Sequence, residues 1–579
     1  MKTALITTFI IFGALAACAQ PYLDWAFGIG GEEFEYPANS MATDQDGNVY
    51  IAGYFFGEVD FDPSVQTADI ETLDDYDDSF FAKYDPDGNL IYVKHIIGEN
   101  YVRVHAITVD AEGNVYLTGT FGGLVDFNPH SSATANVDAE GFGNSFIAKY
   151  ATDGDYLFAK QIGGDSGVIE SSAIALDAED NIYIAGGFKG SPNFQTQPGE
   201  ELIITSESAA GADKNAFVAK YDSYGNYQAA QNVARGEGDS SVNAIIIDHE
   251  GDVIVTGRFK GTTTFNQAIF ASEVASEGNY DAFIAKYDLN FSASFSFRYA
   301  ERIGGIGVDR GNDLALDADN NVYVIGTFNT ELIESDGASI APSLGGSDFF
   351  YFSYDPDGNR MLERTFGGTG NDEGRGILVD SEGMIYLAGE FSGSVDFNTL
   401  PFPTQVDMYT SAGGTDVFLA KYNSSGFYIE GHYGGSINYD ELNGIAADAN
   451  GNVFISGIHQ GTAEFGTDES VLVPYIGYRD IFLAKYAFEF ATSDIAENAA
   501  IQAALYPNPT SGNITLSLSG QHTYHQATLL DISGRAIQSS SITQGTFIKE
   551  LYTDNLADGV YFIQLKGYQE QHTLKFIKQ

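Results

Sequence analysis

The sequence holds one cysteine, one tryptophan and five methionines in 579 residues. The lone Cys18 excludes an intrachain disulfide framework and any CxxC metal or redox site. Basic residues are scarce: 27 Lys and Arg stand against 80 Asp and Glu, a net charge of −53. The summed field of such a chain repels polyanions, which argues against nucleic acid as a partner. No apolar run after residue 15 approaches the ~18 residues of a membrane-spanning helix, so no transmembrane segment is expected. HExxH and Walker-type loops are missing as well. Gly164-Asp165-Ser166-Gly167 looks like a serine-protease nucleophile sequence, but it occupies the place of GGTGNDEG at 367–374. A motif without its fold carries no chemistry. The 44% hydrophobic and 18% charged composition is otherwise that of a globular protein, too long for one ordinary core.

The opening MKTALITTFIIFGALAACAQ has one Lys, an apolar run from Ala4 to Leu15, and small residues at Ala17 and Ala19. Residues 1–19 therefore read as a secretory signal peptide. Leu15-Ala16-Ala17-Cys18 also has the form of a lipobox, which would leave Cys18 lipidated. Cleavage after Ala19 is favoured, for a reason found at the other end of the chain.

An internal repeat fills most of the remaining chain. The motif D-x-x-G-N-V-Y-I-x-G starts at Asp44, Asp110, Asp177, Asp248, Asp317, Asp380 and Asp448, at spacings of 63 to 71 residues. Each copy is followed by F-x-A-K-Y or a variant, such as SFFAKY at 79–84 and FFYFSY at 349–354. β-Branched and aromatic runs between Asp/Gly/Asn turns give four strands per unit, and four antiparallel strands repeated seven times describe a β-propeller. A fourth strand with a Gly-rich end follows only six of the third strands. The missing one is YLDWAFGIGG at the N-terminus, so the expectation is an all-β, seven-bladed propeller over 20–488, closed by its first strand. The units resemble the bacterial SBBP-type β-propeller repeat through D-x-x-GNVY-x-x-G, F-x-AKY-D-x-x-GN and the terminal GG.

Residues 489–504 read as a linker, and 505–579 as a small β-sandwich domain. There five basic residues balance five acids, so the acidic excess lies upstream. The pieces LYPNPTSGNITL, LLDISGRAI, LADGVYFIQL and LKFIKQ resemble the C-terminal sorting domain of type IX secretion cargo. The resemblance implies entry through a cleaved signal peptide and engagement of the type IX machinery, then release or attachment at the outer cell surface. That is the reason for preferring cleavage after Ala19 to lipidation.

The repeated Asp and the third-strand Lys read as a structural ion pair, because no catalyst needs one residue seven times. Function is sought instead where units differ. One place is the long second-to-third connections, with sequences such as GEVDFDPS. Another is the position five residues before each repeat Asp: Asn39, His105, Ser172, Asn243, Asn312, Arg375 and Asn443. These are candidate binding residues around a central channel. Acids cluster beside them, and Asp372, Glu373, Asp440 and Glu441 are candidate ligands for a divalent cation, Ca²⁺ rather than zinc because the donors are oxygens. The chain is expected to act as a monomer that binds a glycan or a protein. The alternative is a polysaccharide lyase or glycosidase at the channel mouth, hinted at by His105, Arg310 and Arg375.

Overall fold

The computed structural model describes residues 22–487 apart from 65–67, 73–75, 130–133, 140–142, 165, 198, 207–212, 237, 266–272, 289–295, 334–337, 399–407 and 467–469. It also describes 503–578 apart from 507–513, 519–523, 531–535, 543–547, 552, 554–555, 558 and 567–570. The expected signal peptide, Cys18 and most of the expected linker lie outside these residues. Among the described residues there is no helix, and the ladders between strands are antiparallel, with isolated parallel bridges at Phe34–Arg479, Tyr280–Val308 and Thr415–Tyr439.

Each sequence repeat places its strands in the order first, second, third, fourth. In the second unit Tyr101–Val109, Val115–Gly122, Asn144–Tyr150 and Tyr156–Ile162 pair in that order. In the last unit the third strand, Asp480–Ala487, pairs with Tyr22–Gly31, from Tyr22 opposite Ala487 to Ile29 opposite Ile481. The first strands touch in series, and that of the last unit, Asp440–Ala447, touches Ala42–Thr43 of the first. Core clusters lie between units: Tyr50 and Phe81 of the first pack with Leu117 and Phe146 of the second. Each such aromatic, fully buried, contributes ~1.5–3 kcal/mol.

The tight turns explain the repeat Asp. Asp44 Oδ1 accepts hydrogen bonds from the backbone N–H of Asp46 and Asn48, an Asx turn, while Oδ2 accepts from the Tyr50 hydroxyl at 2.8 Å and faces Lys83 Nζ at 3.0 Å. The same ion pair recurs as Lys149–Asp110, Lys220–Asp177 and Lys286–Asp248. Lys485 departs from the pattern and pairs with Asp24, on the N-terminal strand.

The described parts of the second-to-third connections make structural contacts. Glu58–Asp60 forms a hairpin with Asp69–Glu71, and its Val59 and Asp60 pair with Gly31 and Gly30, the Gly-rich end of the N-terminal strand. Six further pairings of this kind join each fourth strand to the connection of the next unit: at Gly98, Gly163, Gly236, Gly304, Gly368 and Gly434. The Phe of VDF is buried, and its carbonyl accepts the hydroxyl of the AKY tyrosine, as in Tyr84 to Phe61 at 2.9 Å and Tyr150 to Phe127 at 3.0 Å. These motifs lock neighbours together and are not exposed recognition loops.

The residue that opens the third strand was missed by sequence reasoning. It is Asp78, Asn144, Asn215 or Asp480, and at the same place within longer strands Asp281, Asp348 or Asp416, all buried. A Cβ added to Gly367 would lie 2.2 Å from Asp348 Cγ, and one on Gly30 would lie 2.5 Å from Asp480 Cγ. The glycines therefore make room for a carboxylate. In four junctions a second acid shares that space, from the first strand of the next unit: Asp309 beside Asp281, Asp372 beside Asp348, Asp440 beside Asp416, and Glu35 beside Asp480.

In the C-terminal domain two antiparallel sheets, one ordered Ala503–Tyr506, Ile514–Leu518, Ile548–Leu551 and the other Ala536–Ser541, Gln526–Leu530, Gly559–Lys566, Gln571–Lys578, share a core of Leu516, Leu518, Leu529, Ile563 and Leu565. No helix among the described residues is long and apolar enough to cross a membrane.

Candidate functional site

The glycine that closes each repeat motif builds the site. In the second unit Gly119 faces Val104 and Thr118 faces Ala106, so His105 is an extra residue with no partner opposite, a β-bulge. Ser172, Asn243, Asn312, Arg375 and Asn443 are bulged at the same register. In the first unit the ladder breaks between Pro37 and Ala42, around Asn39. The bulge drives a first-strand carbonyl toward the motif glycine. A Cβ on Gly257 would meet Ser241 O at 2.0 Å, and one on Gly119 would meet Arg103 O at 2.0 Å. Only glycine admits that carbonyl, and the bulge re-aims the next side chain off the sheet.

All seven bulge-site residues line two adjoining cavities. One, of about 520 Å³, is lined by Asn39, His105, Ser172, Asn243 and Asn443 among others; a second, of about 320 Å³, is lined also by Asn312 and Arg375. Several of them hold the units together as well. His105 Nδ1 lies 3.0 Å from Ser171 O, Ser172 Oγ donates to Val242 O at 2.6 Å, Asn243 Nδ2 to Gly311 O at 2.9 Å and Asn312 Nδ2 to Gly374 O at 2.7 Å. Each bond runs from one unit to the backbone of the next. That contact makes His105 Nδ1 the protonated nitrogen, and burial holds the ring below its ordinary pKa, so His105 is neutral at pH 7. The side chain of Asn39 is exposed and makes no such bond, and Asn443 Oδ1 is buried without a partner.

The four carboxylates expected to gather a cation do not converge. Asp372 accepts hydrogen bonds from the N–H of Gly368 and Ser392, and Asp440 from the N–H and hydroxyl of Ser436. Burial pushes Asp372 up to about 7 and Asp440 up to about 6. Glu373 lies 2.5 Å from Arg310 and 3.0 Å from Arg375, and Glu441 lies 3.1 Å from Arg375. These surroundings donate hydrogen bonds and suit an anion. Among the described residues the three carboxylates with oxygens within 4.8 Å of one another are Asp110, Glu112 and Asp180, and none of them lines either cavity.

One sector breaks the symmetry. Arg375 reaches Glu390 at 2.7 Å as well as Glu373 and Glu441, and Glu390 is buried. Burial pushes Glu390 up to about 8, with Glu373 and Glu441 adding to the rise against the pull of Arg375. Tyr439, beside Glu441, is held up at about 12, again mainly by burial.

Comparison with known proteins bears on both regions. Residues 504–579 match the family described as a secretion system C-terminal sorting domain. The chain carries that domain and is cargo of type IX secretion, released or attached at the cell surface. Over 544 residues it is 23% identical to an uncharacterised WD repeat-containing protein of Acanthamoeba polyphaga mimivirus, covering 80% of this chain and 38% of that one. It is 24% identical to the regulatory protein FlaEY of Caulobacter vibrioides over 369 residues, 61% of this chain and 36% of that one. The chain thus spans well under half the length of these relatives. Similar solved structures include polysaccharide lyase PL25-Ulvanlyase, at 10% identity and a TM-score of 0.35 over 78% of this chain and 96% of that one. A DUF4221 family member from Bacteroides vulgatus matches at 10% identity and a TM-score of 0.29 over 64% of this chain and 92% of that one. Likenesses this distant say nothing about the chemistry of the site.

Proposed function

We propose that the repeats, which resemble SBBP units, close into a seven-bladed β-propeller, and that the exported protein, a monomer after cleavage of its signal peptide, works by binding a glycan or a protein in the cavity on its axis. The observation that carries this reading is the series of six bulges, each turning one polar side chain toward a shared cavity. Bulges of this kind are a means of aiming side chains. Amide and hydroxyl groups that both donate and accept hydrogen bonds suit sugar hydroxyls. Two tyrosines in the lining, Tyr36 and Tyr54, stack at 5.0 Å and offer an aromatic wall. Calcium has no part in this reading, because Asp372, Glu373, Asp440 and Glu441 already have partners.

Calorimetric titration of the purified chain with extracellular polysaccharide fragments tests it. Because no hydrogen bond among the described residues holds the side chain of Asn39 or Asn443, the double variant Asn39→Ala, Asn443→Ala is expected to keep its melting temperature and lose binding about tenfold, the worth of one or two good hydrogen bonds. Unchanged binding by that variant would place the ligand elsewhere.

A second reading has one observation in its favour: burial raises the proton affinity of Glu390 beside Arg375, as it does for a general acid. Against it, Glu390 lies behind Arg375 and is not among the cavity-lining residues, and the neutral His105 belongs to another unit. Depolymerisation of a polysaccharide by the purified chain, abolished by Glu390→Gln, would make this the better account.

A further inference from the structure

The cavity differs in charge from the rest of the molecule. Its lining holds Lys214, Arg258, Arg310, Arg375 and Arg479, although the whole chain has 27 basic residues against 80 acids. Three of the five are neutralised. Lys214 pairs with Glu170, Arg310 with Glu373, and Arg375 with Glu373, Glu390 and Glu441. Arg258 and Arg479 are not: among the described residues neither has a carboxylate within ion-pair distance.

Both are held in place without one. The Arg258 guanidinium lies 4.7 Å from the centre of the Tyr280 ring, which it shares with Lys260 at 5.5 Å. The carboxylate beside that ring, Asp239, is taken up by the Tyr280 hydroxyl and the N–H of Lys214. Arg479 lies 5.1 Å from the centre of the Tyr36 ring, the same ring that stacks on Tyr54. A guanidinium laid on an aromatic face keeps its in-plane N–H fork free, and that fork fits two oxygens of a sulfate or carboxylate. Where acids outnumber bases about threefold, this lining reverses the balance, with five bases against the three acids Glu170, Asp313 and Glu441, and leaves two arginines without a carboxylate partner. The chain's long-range field opposes an anionic ligand. At physiological ionic strength, however, charges beyond ~8 Å are screened while contact pairs are not.

We infer that the cavity binds a polyanionic glycan, with sulfate or carboxylate groups on its sugars paired to Arg258 and Arg479 beside the Tyr36–Tyr54 wall. This rests on the cavity being the binding site.

The test is titration of the full mature chain, in ~0.15 M salt, with hexasaccharides of one length: sulfated, uronate-containing and neutral. A thymidine oligonucleotide of similar charge is the fourth probe. At least one acidic hexasaccharide is expected to bind ten or more times more tightly than the neutral one, and the acid preferred identifies the group recognised. Arg258→Gln and Arg479→Gln should each weaken that binding about tenfold with unchanged melting, since neither removal orphans a carboxylate; Arg258→Lys should lie between. Equal affinity for neutral and acidic sugars, undiminished in both Gln variants, would overturn the charge inference while leaving the cavity reading intact if the Asn39, Asn443 double variant still loses binding. Oligonucleotide binding as tight as that of the best sugar would show mere charge attraction and overturn it too. Failure of every sugar to bind would remove the glycan part of the cavity reading along with it.

Discussion

The folded chain is expected to melt several degrees higher at pH 5 than at pH 8, the reverse of what a protein with 80 acids held by surface ion pairs would show. The cause is the paired carboxyls at the junctions. Burial, with a neighbouring carboxylate adding to it, pushes Glu35 up to about 9 and Asp309 and Asp372 up to about 7. Asp440 is held at about 6 by the same causes, and Asp348 and Asp416 are held there by burial. Oδ1 of Asp281, Asp348 and Asp416 is buried without a hydrogen-bond partner among the described residues. In the pair at Gly435, Asp440 Oδ2 and Asp416 Oδ1 both lie within 3 Å of where a Cβ would sit. Two ionised carboxylates that close, away from water, repel each other, and a shared proton relieves them.

The sign follows from linkage. A carboxyl whose folded pKa exceeds its unfolded value of ~4 binds its proton more tightly in the folded state. Its contribution is full below pH ~4 and is lost as pH rises through about 6 to 7, and through about 9 for Glu35. Asp44 and Asp177 act oppositely. Burial raises them, but hydrogen bonds from neighbouring Asn and Lys side chains outweigh it and leave both depressed, so their contribution fades only in stronger acid. Two units already carry Asn at the third-strand position, Asn144 and Asn215. Asp348→Asn is therefore expected to fold, to raise stability at pH 8 by ~1–3 kcal/mol, and to flatten the pH profile. A melting curve set from pH 5 to 8 checks this, and a profile that rises with pH in both proteins would refute it.

Replacing Arg375 by Met should be the most damaging single change at the cavity. Its guanidinium serves Glu390, Glu373 and Glu441, at 2.7, 3.0 and 3.1 Å, and joins the sixth unit to the seventh. Without it the buried Glu390 and the half-buried Glu441 lose their ion pair and only Glu373 keeps one, with Arg310, at a cost of ~3–5 kcal/mol. Two rescues distinguish this cause from lost packing. Lower pH protonates the carboxylates left without Arg375, and Arg375→Met with Glu390→Gln removes the buried carboxyl. Each is expected to restore at least half of the loss in urea unfolding at neutral pH.

What the sequence made legible was what repeats locally. The Asx turns, the Asp44–Lys83 type of ion pair and the seven bulge-site positions all follow from residues a few places apart or from one register in each unit. What it hid depends on a partner from another unit. Asp348 and Gly367 both recur in the sequence, but only the structure shows that the glycine accommodates the carboxylate. The VDF motif looked like a surface loop because its partners are the Gly-rich end of the preceding fourth strand and the AKY tyrosine of its own unit. Net charge misled in the same way. The acids Glu373 and Glu441 suggested a cation site, whereas Arg310 and Arg375 neutralise them and Arg258 and Arg479 stay without a carboxylate partner among the described residues, because a sum over the chain says nothing about which charges meet.

Everything proposed for the cavity depends on the strand Tyr22–Gly31 belonging to the last unit, and a cysteine cross-link tests that most directly. Ala26 stands opposite Ala484 in the ladder, where antiparallel Cα atoms are ~4.5–5.5 Å apart, within reach of a disulfide. In a chain with Cys18→Ser, Ala26→Cys and Ala484→Cys no other thiol competes. Mild oxidation is expected to form an intramolecular disulfide in nearly every molecule and to raise the melting temperature, by joining the two ends of the ring. Thiols that stay free in the folded protein, or that link only between molecules, would contradict the closed ring and the axial site built on it.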